Sequence, residues 1–173
     1  MKIVCFLLFF LAPSCIIAQK LTIIQSPALI PEQDKRVKIF LAGSIDMGRS
    51  ENWQKKVIQQ LAGVEGIILN PRRDDWDKSW KPVSTDTNFR RQVEWELDAL
   101  EKADMILMYF EPASQSPITL LELGLYARSK KIMVVCPEGF WRKGNVDIVC
   151  ERYGIKQYKT VDEMLGQLKK QLQ

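Results

Sequence analysis

Residues 37–44 read Val37-Lys-Ile-Phe-Leu-Ala-Gly-Ser44, a short apolar run that stops at a glycine and a serine. Residues 52–61 follow, with Val57 and Leu61 at helical spacing. An apolar run of this length, bounded by turn residues, is typical of a buried strand. We therefore predict a strand, a loop and a helix, in this order, where the domain begins.

The same alternation continues to the end of the chain. Four more apolar runs predict strands, at 66–69, 104–109, 131–135 and 155–158. Four more periodic segments predict helices, at 89–102, 118–129, 146–153 and 161–172. Strands that alternate with helices form a parallel sheet with helices on both faces. The prediction is a single-domain α/β sandwich, flavodoxin-like or Rossmann-like, with about five parallel strands.

Composition narrows the possible chemistry. The 173 residues are 46% hydrophobic, which suits one domain with a real core, and the net charge of +4 is too weak to argue for a nucleic acid polymer as partner. The chain has no histidine, which excludes Ser-His-Asp and Cys-His nucleophiles and histidine-ligated zinc. Proton transfer would fall to carboxylates, Tyr, Lys or Cys, and we expect no metal and no cofactor.

The N-terminus differs from the rest of the chain. A lysine, an apolar run to Leu11 and a small residue at Ala18 predict a secretory signal over residues 1–18, too short for a stable membrane span. The protein would then be secreted or periplasmic. Two alternatives stay open, lipid attachment at Cys15 and a cytoplasmic protein whose start is misplaced or whose first strand lies here. Residues 19–36, aperiodic and containing proline, predict a surface arm, and the domain spans 37–173.

Ligands of such sheets bind beyond the carboxyl ends of the strands, so the loops there are the places to look for chemistry. The loop at 43–51 contains Gly43, Ser44, Ile45 and Arg49, whose amides, hydroxyl and cation suit a phosphate or ribose. The long loop at 70–88 contains Arg72, Arg73 and Trp76, which can pair an anion and stack a base. Neither loop has the glycine spacing of a dinucleotide or ATP site.

Two carboxylates stand out. Glu122 is the only charge between residues 117 and 127, about one turn into a predicted helix, where the helix dipole would help to keep it ionised as a nucleophile. Glu96 borders the apolar stripe of its helix, whereas Glu94, Asp98 and Glu101 form a separate row that we expect to be solvated. Glu122 also has a structural interpretation, as a glutamate that snorkels or caps at the rim of an apolar helix. Paired carboxylates without histidine favour glycosyl transfer.

These segments together resemble the nucleoside 2-deoxyribosyltransferases and their relatives, the 2'-deoxynucleoside 5'-phosphate N-hydrolases. Phe40-Leu-Ala-Gly-Ser-Ile45 is similar to the first strand and substrate loop of that family, and Leu121-Glu122-Leu-Gly124 is similar to its Glu-Leu-Gly. The resemblance implies that Glu122 attacks the anomeric carbon. It also places Glu96 near the reacting base and sugar, Asp104 against the base, and Ser116 on a phosphate. Either Glu96 or Asp104 would then assist departure of the base. From the residues alone, Asp104 is interpreted as the end of a turn.

The resemblance implies N-glycosidic cleavage or transfer on a 2'-deoxynucleoside or its 5'-phosphate, through a covalent glycosyl–Glu122 intermediate. The ligand would be a small nucleoside or nucleotide, and the protein a homodimer or larger homo-oligomer. Two alternatives remain: a nucleotide-binding sensor or interaction module without turnover, and a glycosidase of other N-ribosides such as a nicotinamide dinucleotide.

Overall fold

A computed structural model describes residues 21–45 and 50–172, and within them one six-stranded sheet carries five helices. All strand pairs are parallel, in the order β1-β3-β2-β4-β5-β6. The strands are β1 (Leu21–Gln25), β2 (Lys38–Gly43), β3 (Gly66–Asn70), β4 (Met105–Tyr109), β5 (Ile132–Val135) and β6 (Lys156–Tyr158). The helices are α1 (Trp53–Gln60), α2 (Thr87–Lys102), α3 (Pro117–Tyr126), α4 (Lys143–Tyr153) and α5 (Val161–Gln171). The predicted flavodoxin-like α/β class is confirmed.

The sheet has a separate apolar core on each face. Phe40 and Ala42 of β2 pack with residues of α2, α3 and α4, whereas Ile39 and Leu41 of the same strand pack with residues of α1 and α5. Successive side chains of a strand point to opposite faces, so a strand buried on both sides is a continuous apolar run. This is why the central strands were recognisable from their sequence.

Strand β1 adds a sixth strand that the sequence analysis did not predict. It lies in the segment interpreted as a surface arm and pairs with β3 along its full length, and the N–H of Ser26 then donates to the carbonyl of Asn70 at 3.1 Å. An edge strand that buries one face has a weak apolar pattern: Ile24 packs on the core while Ile23 is exposed. The described part of the arm is therefore a structural part of the sheet.

Helix α2 begins two residues before its predicted start. The Asp86 side chain accepts hydrogen bonds from the N–H groups of Asn88 and Phe89, which is the usual capping arrangement. Helices α2 and α3 both begin at the carboxyl edge of the sheet and descend side by side over one face. In the described residues no helix is long and apolar enough to cross a membrane.

Candidate functional site

Glu122 is buried between α3 and the sheet. Helix α3 presents Ile118, Leu121 and Leu125 to the outside, each 58% exposed, while Glu122 is 8% exposed beside the buried Leu123. The polar side chain thus occupies an inward position of a helix whose outward face is apolar. This inversion of the usual pattern places a carboxyl group in a dry environment.

Glu96 occupies the inner border of α2, as its spacing predicted. It is partly buried, and its Oε1 accepts a hydrogen bond from Gln92 Nε2 at 2.8 Å. Glu94, Asp98 and Glu101 are exposed, which confirms the solvated row. One acidic side chain of this helix is therefore separated from the others and directed toward the interior.

The two glutamates are close enough to interact electrostatically. Burial, the larger cause, and the charge of Glu96 together raise the pKa of Glu122 to about 8. Burial raises the pKa of Glu96 to about 7, against the hydrogen bond from Gln92, which lowers it. The helix dipole was expected to keep Glu122 ionised, whereas loss of hydration raises the pKa of this carboxyl above neutrality. The pair retains a proton near neutral pH.

Three buried serine hydroxyls lie where β2 and β4 end and α3 begins. Ser44 Oγ is 2.5 Å from Ser116 Oγ, which is 2.7 Å from Ser114 Oγ. The N–H of Glu111 donates to Ser44 Oγ at 2.9 Å and so orients this hydroxyl. Ser116 has a left-handed backbone (φ 44°) and its side chain makes no capping bond to α3. A serine cluster, Ser44–Ser114–Ser116, therefore stands six residues before Glu122, and Ser114 was missed from the sequence.

The glycine before this cluster is required by close packing. Gly43 has φ 142°, and a Cβ atom there would lie 2.4 Å from the carbonyl oxygen of Tyr109. The neighbouring Ile45 is partly buried, and the Trp53 indole donates to the carbonyl of Ser44 at 3.3 Å. The loop after β2 thus keeps its backbone tight against β4. Arg49, predicted to bind substrate from this loop, lies outside the described residues, as does the predicted signal segment.

Arg72 is buried and serves the loop that follows β2. Its guanidinium donates to the carbonyls of Ser50 and Glu51, both at 3.2 Å, and to Gln54 Oε1 at 3.4 Å. A side chain with these partners holds loop and helix α1 together. In this structure the guanidinium of Arg72, which was predicted to pair an anion, has these three oxygens as its partners.

Arg73 and Trp76 are more exposed than Arg72 and lie next to Trp80. Arg73 pairs with Asp75 at 2.8 Å and covers the Trp80 ring at 5.0 Å, and the rings of Trp76 and Trp80 are 5.0 Å apart. The two indole planes are tilted by 57° to each other, and the guanidinium and indoles together form an aromatic and cationic cluster, a composition that can stack a nucleobase. We call these three residues, Arg73, Trp76 and Trp80, the tryptophan loop.

Asp104 is placed away from the serine cluster. It precedes β4, at the amino edge of the sheet, whereas the serine cluster lies at the carboxyl edge. Its Oδ2 accepts from the Lys38 N–H at 2.8 Å, and its own N–H donates to the Lys38 carbonyl. These bonds give Asp104 the structural role of closing the turn into β4. Among the described residues no cluster of three or more acidic or cysteine side chains is arranged to hold a metal ion.

Comparison with known proteins places these features in a family. The family model described as nucleoside 2-deoxyribosyltransferase like matches residues 36–140, more than half of the chain and the part that contains Ser44, Glu96 and Glu122. The chain therefore belongs to the nucleoside 2-deoxyribosyltransferase-like family. The search of the curated proteins gives no match.

Among solved structures, the chain is similar to the crystal structure of a conserved protein from Enterococcus faecalis V583. The TM-score is 0.55 and the identity 11%, and the match covers 79% of this chain and 99% of that chain. At this identity the likeness shows the fold alone.

Proposed function

We propose that the protein cleaves or transfers the N-glycosidic bond of a 2'-deoxynucleoside or its 5'-phosphate. The observation that carries the proposal is the pair Glu122 and Glu96, two inward carboxyl groups that interact on adjacent helices beside a cluster of serine hydroxyls. A nucleophilic carboxylate and a second carboxyl group that handles the proton are what retaining glycosyl chemistry needs. Family membership supports an enzyme of this class.

The chemistry needs Glu122 ionised and Glu96 protonated. Because Glu122 has the higher pKa, the proton that the resting pair keeps near neutral pH must first pass from Glu122 to Glu96. The Glu122 carboxylate attacks C1' of the sugar and forms an ester bond, while the bond from C1' to the base nitrogen breaks and Glu96 gives its proton to the leaving base. The ionised Glu96 then takes a proton from water, whose oxygen attacks C1' and releases Glu122. A second base in place of water gives a transferase. A pKa of about 7 for Glu96 lets one group perform both proton transfers near neutral pH.

The serine cluster would bind the anionic end of the substrate. Ser44 and Ser116 supply hydroxyls beside the start of α3, where the free N–H groups of a helix favour a phosphate or sugar oxygen. Gly43 and Ile45 would let the backbone approach the sugar, and Arg49 would add a cation from the same loop. The tryptophan loop would cover the base. Asp104 has no step here, because its carboxylate closes the turn into β4.

The test is a panel of deoxynucleosides, their monophosphates and a nicotinamide dinucleotide, each with and without free adenine, followed by chromatography. We expect base release or exchange that is lost in Glu122→Gln and reduced in Glu96→Gln. Glu94→Gln, an exposed change on the helix that carries Glu96, is the matched control and should keep full activity. Release that is equal in the protein and in Glu122→Gln would overturn the nucleophile.

The other outcomes of this panel separate the alternative functions. Release of nicotinamide without release of base from deoxynucleosides would identify the protein as a glycosidase of other N-ribosides. Binding of a nucleotide with no turnover by the folded protein would make it a sensor or interaction module. The secreted or periplasmic location predicted from residues 1–18 is a separate proposal, tested by N-terminal sequencing of the exported protein.

A further inference from the structure

The amide of Gln92 lies behind Glu96 and has all its hydrogen-bonding groups occupied. Gln92 is 2% exposed; its Nε2 donates to Glu96 Oε1 at 2.8 Å and to the Pro71 carbonyl at 3.1 Å, and its Oε1 lies 2.6 Å from Ser26 Oγ. A carbonyl only accepts, so Pro71 determines which end of the amide is the nitrogen. The Ser26 hydroxyl donates to the other end. The amide therefore has one orientation, with an N–H directed at Glu96.

We propose that Gln92 is a positioning residue for Glu96, held in place by Ser26 and Pro71, and that the strand β1 segment is thereby part of the catalytic apparatus. The inference rests on the proposed function for its catalytic meaning. Three parts of the chain meet here: Ser26 follows β1, Pro71 follows β3, and Gln92 lies one turn before Glu96 on α2. None of the three was recognised from the sequence.

The N–H of Gln92 has a definite chemical effect on Glu96. A donor to a carboxylate favours the ionised form, so the bond opposes the effect of burial. In the part of the chain that the structure describes, the titratable groups that interact with this carboxyl are Glu122 on α3 and, through Glu122, the Tyr126 hydroxyl. None of them is a cation, so Gln92 is the group in this set that stabilises a charge on Glu96. Without the bond from Gln92, Glu96 would stay protonated to a higher pH. Less of it would then be ionised and able to take the proton from water in the second step.

The test is a carbon-13 NMR titration of the glutamate carboxyl groups in the full chain, with the Glu96 signal assigned through Glu96→Gln. We expect Gln92→Leu, which keeps the size of the side chain, to raise the apparent pKa of Glu96 by about one pH unit, the amount that a charge-assisted hydrogen bond of ordinary strength accounts for. Ser26→Ala removes only the hydrogen bond from Ser26 to the Gln92 amide and should raise the apparent pKa of Glu96 by a smaller amount. Arg91→Ala, an exposed change on the same helix, should leave it unchanged.

The kinetic measurement is the pH profile of kcat. In Gln92→Leu we expect the limb of the profile that reports Glu96 to move to higher pH by the same amount as the titration. At neutral pH kcat should fall about fivefold, the loss of ionised Glu96 that a rise of one pH unit causes, and KM should stay within a factor of two. The inference would be overturned if the apparent pKa of Glu96 were unchanged in folded Gln92→Leu and Ser26→Ala. It would also be overturned if this pKa rose while the pH dependence of kcat stayed the same. The titration needs no substrate, so a protein without base release would refute the proposed function and leave the contact itself testable.

Discussion

At the scale of the residue, the most informative feature is that Glu122 is buried and that no cation among residues 21–45 and 50–172 contributes to its pKa. Its pKa of about 8 comes first from burial and then from the charge of Glu96. An ionisable group that costs stability is retained in proteins where the chemistry needs it. On this helix the carboxyl group of Glu122 faces inward, whereas the apolar side chains of Ile118, Leu121 and Leu125 face outward.

The first prediction is that Glu122→Gln stabilises the protein at neutral pH. The pKa of Glu122 is raised in the folded protein, so the folded protein keeps a proton that the unfolded chain loses above pH 4.5. Stability is therefore greatest below that value and falls as the pH rises to about 8. Removing the charge should add about 3 kcal/mol to the free energy of unfolding at pH 7.

Urea unfolding from pH 5 to pH 8.5 checks this prediction. The difference between the protein and Glu122→Gln should grow with pH and level off near pH 8. Glu94→Gln, at an exposed position, should show no such growth. A Glu122→Gln protein less stable than the parent at pH 8 would contradict the prediction.

The second prediction concerns Gly43. Gly43→Ala would place a Cβ atom 2.4 Å from the Tyr109 carbonyl oxygen at a backbone φ of 142°, and neither a carbonyl in a central strand nor the backbone of β2 can easily move. We expect a loss of about 3 kcal/mol in the free energy of unfolding. Gly166→Ala, in α5 with open space around it, should instead stabilise by up to about 1 kcal/mol. Thermal unfolding of both variants measures the contrast.

At the scale of the element, the site depends on how loops are held to the first turns of helices. Arg72 joins the end of β3 to the loop before α1, and Gln92 joins α2 to the ends of β1 and β3. Both side chains are buried and both bond to backbone carbonyls. They stabilise the carboxyl edge of the sheet, where the serine cluster lies.

The third prediction is that Arg72→Met weakens this edge. Three acceptors, the carbonyls of Ser50 and Glu51 and the Gln54 side chain, would lose their donor, and the bonds to Ser50 and Gln54 are buried. We expect a loss of about 2 to 3 kcal/mol in stability. Hydrogen exchange should show faster exchange in α1, and urea unfolding should give the total. Arg91→Met, exposed on α2, should cost less than about 0.5 kcal/mol, and an equal loss in both variants would contradict the role given to Arg72.

At the scale of the whole molecule, the outward face of α3 is apolar. Ile118, Leu121 and Leu125 recur along one side of the helix, on the element that carries Glu122. A second copy of the chain is the occupant that we propose for this face, in keeping with the homo-oligomer implied by the family resemblance. Two such faces around a two-fold axis would bring two sites close together.

The fourth prediction is that Leu121→Glu changes the oligomeric state. A charge at the centre of a self-complementary apolar face appears twice in a symmetric dimer, so it should prevent association. Sedimentation at micromolar concentration should give a dimer for the protein and a monomer for Leu121→Glu. Val83→Glu, an exposed apolar position in the loop before α2, is the control and should remain dimeric. A protein that sediments as a monomer would contradict the proposal.

The sequence by itself determined the alternation of strands and helices and the family, and it singled out Glu96 and Glu122 as candidate site residues. It could do so because apolar periodicity and local motifs are properties of neighbouring residues. Only the tertiary structure decided which groups meet. It paired β1 with β3, gave Asp104 a structural partner, and set Gln92 behind Glu96 with Ser26 as its support. It also reversed the expected charge state of Glu122, since a pKa depends on burial and on charges from other elements. Contacts such as that of Ser26 with Gln92 join residues 66 positions apart, and no local pattern of the chain contains them.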